Sequence, residues 1–385
     1  MKLTYTTHLH IDLDAVAANV RALADHVHGA ELFAVVKANA YGHGAIPVAR
    51  TALQHGATRL AVARLDEAIQ LRQASITAPI LMMGYALPDE IVHVVEHHVT
   101  PTITTIEAAR AVSARASALG KTAIMHIKVD SGMGRSGLLP EEVVPFFEQV
   151  RGLAHVTIEG VYTHFASADE ADLSFTRQQF IVFTDVLSAL QAAGHAIPLR
   201  HAANSAATIS LPEMRLDAVR CGVAIYGLKP SANVPDAVVL QPALSLVSHV
   251  ARIRTLPAGS SVGYGRTFIA QAPTTVALLP IGYGDGIHRA LSNKGCVLIH
   301  EQRAPIIGRV SMDQITIDVT GIAGVAQDDD AVLIGVQGDE RITADEVAAW
   351  AGTINYEVTT SLLPRLPRIY SRGGEIVEVN RPLSD

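Results

Sequence analysis

The chain has 385 residues, of which 49% are hydrophobic and 17% charged, and its formal net charge is −7. This length and composition predict a well-buried globular protein of about two domains. The negative charge disfavours nucleic acid as a partner, and no apolar run reaches the ~18 residues that a membrane-spanning helix needs.

The N-terminal segment MKLTYTTHLHIDLDAV alternates like a strand and lacks the apolar core of a secretory signal. We therefore expect a cytoplasmic protein. The two cysteines, Cys221 and Cys296, are far apart and have no paired spacing. Their placement indicates neither a disulfide framework nor a zinc site, and we expect no metal.

From residue 32 to about 230, short apolar runs alternate with helix-like stretches. The predicted strands are 32–37, 59–63, 79–84, 100–104, 122–129, 157–164, 199–203 and 218–225. Helices are predicted at 65–74, 89–97, 107–119, 141–151 and 174–192. Repeated strand–helix alternation implies parallel pairing, and eight units favour a closed (β/α)8 TIM barrel over an open sheet. Functional side chains should then lie at the C-terminal ends of the strands.

Residues 228–241, LKPSANVPDAVVLQ, contain two prolines and break this alternation. We therefore predict a barrel domain at 1–236 and a mainly β domain at 237–385. The later strands are predicted at 243–255, 275–281, 294–299, 304–310, 315–319 and 331–334. One helix, 344–350, is preceded by Thr343 and carries Glu346, which predicts a capping box.

The first barrel strand leads directly into Lys37 within LFAVVKANAYGHG. Burial disfavours the ammonium ion and lowers a lysine pKa from about 10.4, and a neutral amine can form an imine with a carbonyl. For an arbitrary lysine, a strand-end side chain that reaches solvent is the commoner outcome. The next residues favour chemistry, because Tyr41 can hydrogen-bond an anion and Gly42 and Gly44 would let the backbone approach a ligand.

The loops after strands seven and eight of a TIM barrel often bind phosphate. Here Asn204 and Ser205 follow the seventh predicted strand, with Ser205 positioned to open a short helix, and Gly222 lies in the eighth. Taken singly, Asn-Ser is a common helix cap and a glycine in a strand is often a packing residue. Their place on the predicted barrel makes them candidates for anion binding.

The segment VVKANAYGHG resembles the lysine motif of the alanine racemase family, and similar segments follow in order as far as Tyr356 in INYEV. The resemblance implies that Lys37 carries pyridoxal 5'-phosphate as a Schiff base. It also implies a set of further cofactor-binding residues: Tyr41, His164, Asn204, Ser205, Arg220, Gly222, Val223 and Tyr356.

In this family, the arginine at the position of Arg220 faces the ring nitrogen of the cofactor, where many other pyridoxal enzymes place a carboxylate. A guanidinium stays protonated and leaves that nitrogen unprotonated, which weakens the electron sink and favours return of the proton to Cα over side reactions. Outside this resemblance, an arginine in a surface salt bridge would be the better interpretation.

Arg135 in HIKVDSGMGRSG resembles the family arginine that bonds the phenolic oxygen of the cofactor and helps to bind the substrate carboxylate. Lys128 matches a lysine that is carbamylated in some members. A plain solvated lysine is an equally good interpretation on chemical grounds alone.

Racemisation needs a proton-transfer group on each face of Cα. The resemblance assigns one face to Lys37 and the other to Tyr264 in SVGYGRTF, supplied by the second subunit of a homodimer with shared active sites. Lowering a phenol pKa from 10 to 7 requires about 4 kcal/mol of phenolate stabilisation. His164, bonded to Tyr264 and to Arg220, would supply part of it, although a lone histidine is more often a core residue.

The resemblance further assigns substrate binding to Met312 and Asp313 in GRVSMDQ and an entry channel to Tyr283 and Tyr356. Gly284 departs from the alanine that is commoner in the family. These assignments predict interconversion of L- and D-alanine, supplying D-alanine for cell-wall synthesis.

Four alternatives are weighed. A broader alanine/serine racemase is possible because one methylene or hydroxyl changes discrimination by only ~1–3 kcal/mol. A basic amino-acid decarboxylase of the same fold would carry a cysteine motif near its C-terminus, and neither Cys221 nor Cys296 matches it. A non-catalytic cofactor-binding protein of the single-barrel type would lack residues 240–385. A periplasmic broad-specificity racemase would normally begin with a signal sequence.

Overall fold

The computed structural model describes residues 7–381, which divide into two compact units. The barrel unit contains residues 15–40 and 45–242, and the β unit contains residues 7–14, 41–44 and 243–381. Residues 1–6 of the strand-like N-terminal segment lie outside the described residues. No helix within 7–381 is long and apolar enough to cross a membrane.

The barrel unit is a closed barrel of eight strands paired in parallel, which confirms the predicted fold. The chain begins in the β unit with β1 (Thr7–Asp12). The barrel strands are β2 (Glu31–Val35), β3 (Arg59–Val62), β4 (Ile80–Met82), β5 (Thr100–Ile103), β6 (Ala123–Lys128), β7 (Val156–Tyr162), β8 (Leu199–His201) and β9 (Ala218–Cys221). The helices are α1 (Leu13–Val27), α2 (Ala45–Gln54), α3 (Leu65–Gln73), α4 (Ile91–Glu96), α5 (Ile106–Ala118), α6 (Pro140–Arg151), α7 (Ser174–Ala192) and α8 (Ser205–Ser210).

Apolar residues that are buried on both faces form the barrel strands. In β2, Leu32, Phe33, Ala34 and Val35 are all at most 5% exposed, as is typical of a parallel strand covered by helices. The same strand closes the barrel by pairing with β3 on one side and with β9 on the other. It ends at Val35, two residues before the predicted end, so Lys37 lies just beyond the strand.

The β unit contains the remaining strands, which confirms the predicted mainly β second domain. They are β10 (Leu244–His249), β11 (Arg252–Leu256), β12 (Ser261–Val262), β13 (Phe268–Ile269), β14 (Thr274–Leu279), β15 (Cys296–Ile299), β16 (Gln302–Pro305), β17 (Ile315–Asp318), β18 (Asp330–Gln337), β19 (Glu340–Ile342), β20 (Arg368–Arg372) and β21 (Glu375–Asn380). The largest sheet runs β16-β15-β18-β10-β1-β20-β21, with β19 paired to β18. Two smaller sheets are β11-β14-β17 and β12-β13.

Short helices complete the two units. The β unit has α9 (Ala344–Ala351) and α10 (Asn355–Thr360). Single 3₁₀ turns occur at Pro88–Glu90, Pro212–Met214, Val223–Tyr226, Tyr264–Arg266, Tyr283–Asp285 and Arg289–Leu291. At α9, Thr343 Oγ1 accepts from the Glu346 amide at 3.0 Å, as the capping box requires. The Glu346 carboxylate bonds Arg303 at 2.6 Å, so only one half of the predicted box is present.

Two sequence predictions about strands differ from the structure. The strand predicted at 243–255 is divided into β10 and β11, which belong to different sheets. The N-terminal strand, assigned to the barrel domain with the rest of 1–236, belongs to the β unit. There β1 pairs antiparallel with β10 and parallel with β20, and Leu9 and Ile11 are fully buried. Alternation identifies a strand but carries no information about its partner.

The border between the units follows Pro242, six residues after the predicted domain boundary. The reason is a paired contact with α1 inside the barrel unit. Asn19 Nδ2 donates to the Gln241 carbonyl at 2.8 Å, and Asn19 Oδ1 accepts from the Gln241 amide at 2.7 Å. The side chain of Asn19 is fully buried, so both bonds hold the segment before the border against the barrel.

Candidate active site

Lys37 opens a turn of left-handed backbone at the C-terminal end of β2. Ala38, Asn39 and Ala40 have φ between +51° and +54° and ψ between +48° and +52°, and Tyr41 has φ +52°. None of these residues is glycine, and left-handed helical backbone costs an L-residue roughly 1–2 kcal/mol. Backbone strain of this kind persists only where the surroundings enforce it, and it concentrates at functional sites.

Three hydrogen bonds in the barrel unit hold the turn. The Ala38 amide donates to Glu67 Oε1 at 2.6 Å, the Ala40 amide donates to the Val36 carbonyl at 2.8 Å, and Asn39 Oδ1 accepts from the Ala45 amide at 2.9 Å. Glu67 also accepts from the Ala63 and Arg64 amides through Oε2, at 2.8 and 3.0 Å. One carboxylate therefore joins the turn after β2 to the end of β3.

The electrostatic setting of Lys37 agrees with the expectation from its sequence context. Burial lowers the pKa of its amine, the positive charge of Arg135 lowers it further, and the carboxylate of Glu67 opposes both effects. A larger fraction of the amine is therefore neutral, and nucleophilic, than in a solvated lysine.

Gly42 and Gly44, which were predicted to let the backbone approach a ligand, lie in close contact with other residues of the chain. Their φ values are +86° and +100°, and a Cβ atom would meet the Thr359 carbonyl oxygen at 2.1 Å from Gly42 and the Tyr370 hydroxyl at 1.8 Å from Gly44. The two glycines let the 41–44 backbone pack against the β unit to which it belongs. Close packing on the chain itself therefore requires glycine at both positions.

Arg220, on β9, is the most deeply buried cation of the predicted site, at 3% exposure. Its Nη1 lies 2.8 Å from His201 Nδ1, and its Nη2 donates to the Thr163 and Ala202 carbonyls at 2.7 and 3.0 Å. Burial lowers the pKa of the guanidinium to about 10, so it remains protonated at neutral pH. Among the described residues, its Nε is buried without a hydrogen-bond partner.

His164 meets Arg220, as the resemblance implied. Its Nδ1 lies 3.3 Å from Arg220 Nη2. Burial and the nearby charges of Arg220, Arg135, Lys128 and Lys37 hold its pKa well below 6.5, so the imidazole is neutral. Because a guanidinium can only donate, Nδ1 is the acceptor and Nε2 carries the proton.

Lys128 is the last residue of β6, and Arg135 lies in the loop that follows this strand. Lys128 is 5% exposed and its Nζ donates to Ser136 Oγ at 2.7 Å. Burial, with the charges of Arg135 and Arg220, lowers the pKa of Lys128 to about 8. The plain solvated lysine is therefore not what the structure contains. Arg135 itself is exposed.

The segments predicted to bind phosphate meet one another. Asn204 caps α8 by accepting from the Ala207 amide at 3.0 Å, and Ser205 is the first residue of that helix, as predicted. The Gly222 amide donates to Ser205 Oγ at 3.0 Å, which connects the loops after β8 and β9. Val223 opens the 3₁₀ turn Val223–Tyr226. The Gly222 amide is therefore engaged by a side chain of the neighbouring loop.

The remaining predicted residues belong to the β unit. The rings of Tyr41 and Tyr356 have centroids 6.1 Å apart, and burial raises the pKa of Tyr41 to about 12, so its hydroxyl keeps its proton. Tyr264, at 71% exposure, lies on the 3₁₀ turn Tyr264–Arg266. Met312 and Tyr283 are 54% and 40% exposed.

Arg365 is a residue that the sequence analysis missed. It donates to Asp285 at 2.6 Å and to Asp313 at 2.8 Å, and so connects the Tyr283 turn to the 312–313 segment. A Cβ atom on Gly284 would lie 2.9 Å from Arg365 and 3.0 Å from the Met312 carbonyl oxygen. Glycine at this position gives the arginine room beside the 312–313 segment.

Three further residues were missed for the same reason. Glu67 reads as an ordinary acidic residue in the first turn of a helix, and His126 and His201 read as isolated histidines in apolar strands. Their partners are 29, 33 and 19 positions away in the sequence. No local pattern signals such contacts, although a polar residue in an apolar strand indicates that a buried partner exists.

Two family models match the chain: "Alanine racemase, N-terminal domain" over residues 11–230 and "Alanine racemase, C-terminal domain" over residues 243–370. An alanine racemase of Carboxydothermus hydrogenoformans is 46% identical over 94% of this chain and 98% of its own length. An alanine racemase of Desulfovibrio desulfuricans is 45% identical over 94% and 96%.

Solved structures agree. The alanine racemase from Bacillus anthracis with bound L-Ala-P superposes with a TM-score of 0.94 at 42% identity, covering 100% of this chain and 99% of that one. The alanine racemase from Bartonella henselae with covalently bound pyridoxal phosphate gives 0.85 at 31% identity, covering 95% and 100%. The chain belongs to the alanine racemase family of isomerases, which interconvert L- and D-alanine.

Proposed function

We propose that this chain binds pyridoxal 5'-phosphate at Lys37 and moves the Cα proton of alanine between Lys37 on one face and Tyr264 of the partner subunit on the other. The carrying observation is the position of Lys37, half-buried at a strand end with a lowered amine pKa. The enzyme would act as a homodimer and supply D-alanine for cell-wall synthesis.

Several donors of this chain fit this cofactor. Arg220 Nε is a buried donor without a partner among the described residues, which suits an unprotonated ring nitrogen as acceptor. The Ser205 hydroxyl and the protonated Tyr41 hydroxyl suit a phosphate, with Asn204, Gly222, Val223 and Tyr356 forming the rest of that set. When bound, the cofactor withdraws electrons from the substrate and makes the Cα proton acidic.

The side chains of this chain can hold and move the proton. Neutral Lys37 Nζ accepts the Cα proton on its face and returns it as an ammonium ion. On the other face, the phenol oxygen of Tyr264 of the partner subunit does the same. Arg220 holds His164 Nδ1 as an acceptor, so His164 Nε2–H can donate to that oxygen and stabilise the phenolate.

Substrate binding is assigned to Arg135, Met312 and Asp313. A guanidinium can grip the carboxylate of alanine with two parallel hydrogen bonds. Arg365 holds Asp313 in place, and Tyr283 and Tyr356 would line the entry channel.

Two variants test the assignment of the bases. Lys37→Ala should lose the visible absorbance of the bound cofactor and all racemisation. Tyr264→Phe should keep the absorbance but lower the L-to-D rate by about 10²–10⁴-fold, the usual contribution of a general base. Lys294→Ala and Tyr85→Phe, which change exposed residues outside the site, serve as controls. An intact absorbance in Lys37→Ala would refute the proposal.

The substrate range is measured by incubating the purified protein with a panel of L-amino acids in deuterated water. Exchange and inversion at Cα of alanine alone would support a strict alanine racemase. Equal turnover of serine would identify the broader enzyme, and release of carbon dioxide from lysine, ornithine or arginine would identify a decarboxylase.

A further inference from the structure

A chain of buried side chains continues from Arg220 into the interior of the barrel. Arg220 Nη1 lies 2.8 Å from His201 Nδ1, and His201 Nε2 lies 3.0 Å from His126 Nδ1. His126 Nε2 in turn lies 3.0 Å from Glu159 Oε2. His201 and His126 are 0% and 1% exposed. The four residues are on β9, β8, β6 and β7, and only Arg220 has a part in the function proposed above.

Arg220 and Glu159, at the two ends of this series of side chains, determine which atom donates in each hydrogen bond. Arg220 can only donate, so His201 Nδ1 accepts and Nε2 carries the proton. The same logic makes His126 Nδ1 an acceptor and His126 Nε2–H the donor to Glu159. Hydrogen bonds from His126 and from Arg59 hold the pKa of Glu159 at about 2, so Glu159 is ionised and can only accept. Each imidazole therefore has one allowed neutral tautomer.

Arg59 closes the chain at the far end. Its Nη1 and Nη2 donate to the two oxygens of Glu159 at 2.9 and 3.1 Å, and its Nε donates to Glu31 at 2.6 Å. Glu31 and Arg59 are the first residues of β2 and β3. Since Arg220 is the third residue of β9, the chain runs from the catalytic end of the strands toward their N-terminal ends.

Packing holds His201 in one orientation. Its ring stacks on Tyr162, with centroids 4.8 Å apart and planes 8° apart, and on Phe33 at 5.1 Å. The Arg220 guanidinium carbon lies 5.1 Å from the centroid of the Tyr162 ring. A change of tautomer therefore cannot be relieved by turning the ring, and a proton on His201 Nδ1 would face the Arg220 N–H directly.

The need for such a chain follows from the environment of Arg220. Within residues 7–381, its partners are two imidazole nitrogens and three backbone carbonyls, and none is a carboxylate. A buried cation is unfavourable unless hydrogen-bond acceptors surround it. The hydrogen-bonded series of side chains supplies His201 as an acceptor for Arg220. The ionised carboxylate of Glu159, which is connected to His201 through His126, polarises that acceptor.

We propose that Glu159, acting through His126 and His201, is a positioning residue for Arg220. It keeps both imidazoles in the Nε2–H tautomer, so that His201 Nδ1 always offers a lone pair to Nη1. The guanidinium is then held in one orientation, with Nε left for the cofactor ring. This inference rests on the proposed assignment of Arg220 to the ring nitrogen.

The first test leaves Glu159 unchanged. The holoenzyme is labelled with ¹⁵N-histidine, and the tautomers of His126 and His201 are read from ¹⁵N NMR, with assignment by single histidine variants. We expect both rings to be neutral with the proton on Nε2. A proton on Nδ1 of His201, or a doubly protonated ring, would overturn the proposal whether or not the Glu159 variants fold.

The second test compares Glu159→Gln with Glu31→Gln. Both remove one carboxylate from Arg59, but only Glu159 contacts His126. The glutamine amide can donate to His126 Nε2 and so reverse the direction of the hydrogen bonds between residue 159, His126 and His201. We expect Glu159→Gln to change the tautomer signals, to shift the absorbance maximum of the bound cofactor, and to lower kcat about 10-fold to 100-fold with little change in KM, a loss comparable to that for carboxylates that orient a functional histidine.

Glu31→Gln should leave all of these readouts at the wild-type values, and Glu159→Asp should restore part of them. Equal effects of the two glutamine variants would mean a merely structural role and would overturn the proposal. The tautomer readout does not depend on catalysis. If Lys37→Ala retained the cofactor absorbance, the proposed function would fail while the tautomer result stood.

Discussion

The chemistry of Lys128 is altered by its surroundings. With a pKa of about 8, about half of its amines are neutral at pH 8, against fewer than about 1% for an ordinary lysine. A neutral amine can add carbon dioxide and release a proton to form a carbamate, which carries a negative charge. Arg135 and Arg220, which lower the amine pKa by repulsion, would stabilise that charge.

We therefore predict that Lys128 is carbamylated in the protein as purified. Equilibration with ¹³C-bicarbonate at pH 8 should give a ¹³C carbamate signal that is lost in Lys128→Met and kept in Lys121→Met. Loss of the modification should also raise KM for alanine, because Arg135 loses an anionic partner. A wild-type protein without the signal would contradict the prediction.

Among single residues, the candidates for function were easier to identify from the sequence than the residues that hold them in place. Lys37, Arg220 and Tyr264 stand in short segments with distinctive neighbours, so their type and place could be recognised. Glu67 and His126 have unremarkable neighbours in the sequence. Their partners are brought to them by the closed barrel, and a contact that depends on the whole fold leaves no local signature.

The element that positions Lys37 is the left-handed turn after β2, and Glu67 is its main support. Its carboxylate accepts three backbone amides and raises the pKa of Lys37, opposing burial. Hydrogen bonds to a charged acceptor contribute about 1.5–3 kcal/mol to stability. The turn and the amine therefore depend on the same side chain.

We predict that Glu67→Gln lowers the free energy of unfolding by about 1–3 kcal/mol, because the amide keeps an acceptor oxygen but loses the charge. The Lys37 pKa should fall further, because the opposing carboxylate is gone. In the cofactor-free protein, acylation of Lys37 by acetic anhydride should then persist to lower pH. Asp66→Asn, on the same helix turn, should change neither quantity, and an upward shift in the acylation profile would contradict the prediction.

The elements were predictable to different degrees. Helix α7 has the predicted limits, and the eight barrel strands were located within a few residues, because apolar periodicity follows directly from burial. The left-handed turn was not predictable, because Ala-Asn-Ala has no preference for it. The surroundings impose it. The same holds for Gly42 and Gly44, whose close contacts arise only after the β unit has formed.

For the whole molecule, the predicted architecture is confirmed. The alternation of apolar residues could not show which unit each segment joins. β1 joins the β unit although the barrel unit begins three residues after it, and residues 41–44 join the β unit although barrel residues flank them in the sequence. Strand pairing is decided by burial of β1 between β10 and β20, which lie more than 230 positions away. Such distant pairing is invisible in a local pattern.

The β unit exposes several large hydrophobic side chains, among them Tyr264 and Met312 at 71% and 54%. Exposed apolar side chains that occur near one another often mark an interface. In a two-fold dimer, each subunit both lends and receives the same surface. This agrees with the proposal that Tyr264 serves the site of the partner subunit.

We predict that the inactive Lys37→Ala and the strongly impaired Tyr264→Phe variants regain activity when they are unfolded together and refolded as a mixture. A mixed dimer contains one site with wild-type Lys37 and wild-type Tyr264 of the partner subunit, and another site with neither. With random pairing, half of the dimers are mixed and each has one working site of two, so activity should approach about one quarter of wild type. If Tyr264 served the Lys37 of its own chain, every site would lack one base. The mixture would then be no more active than the separate variants.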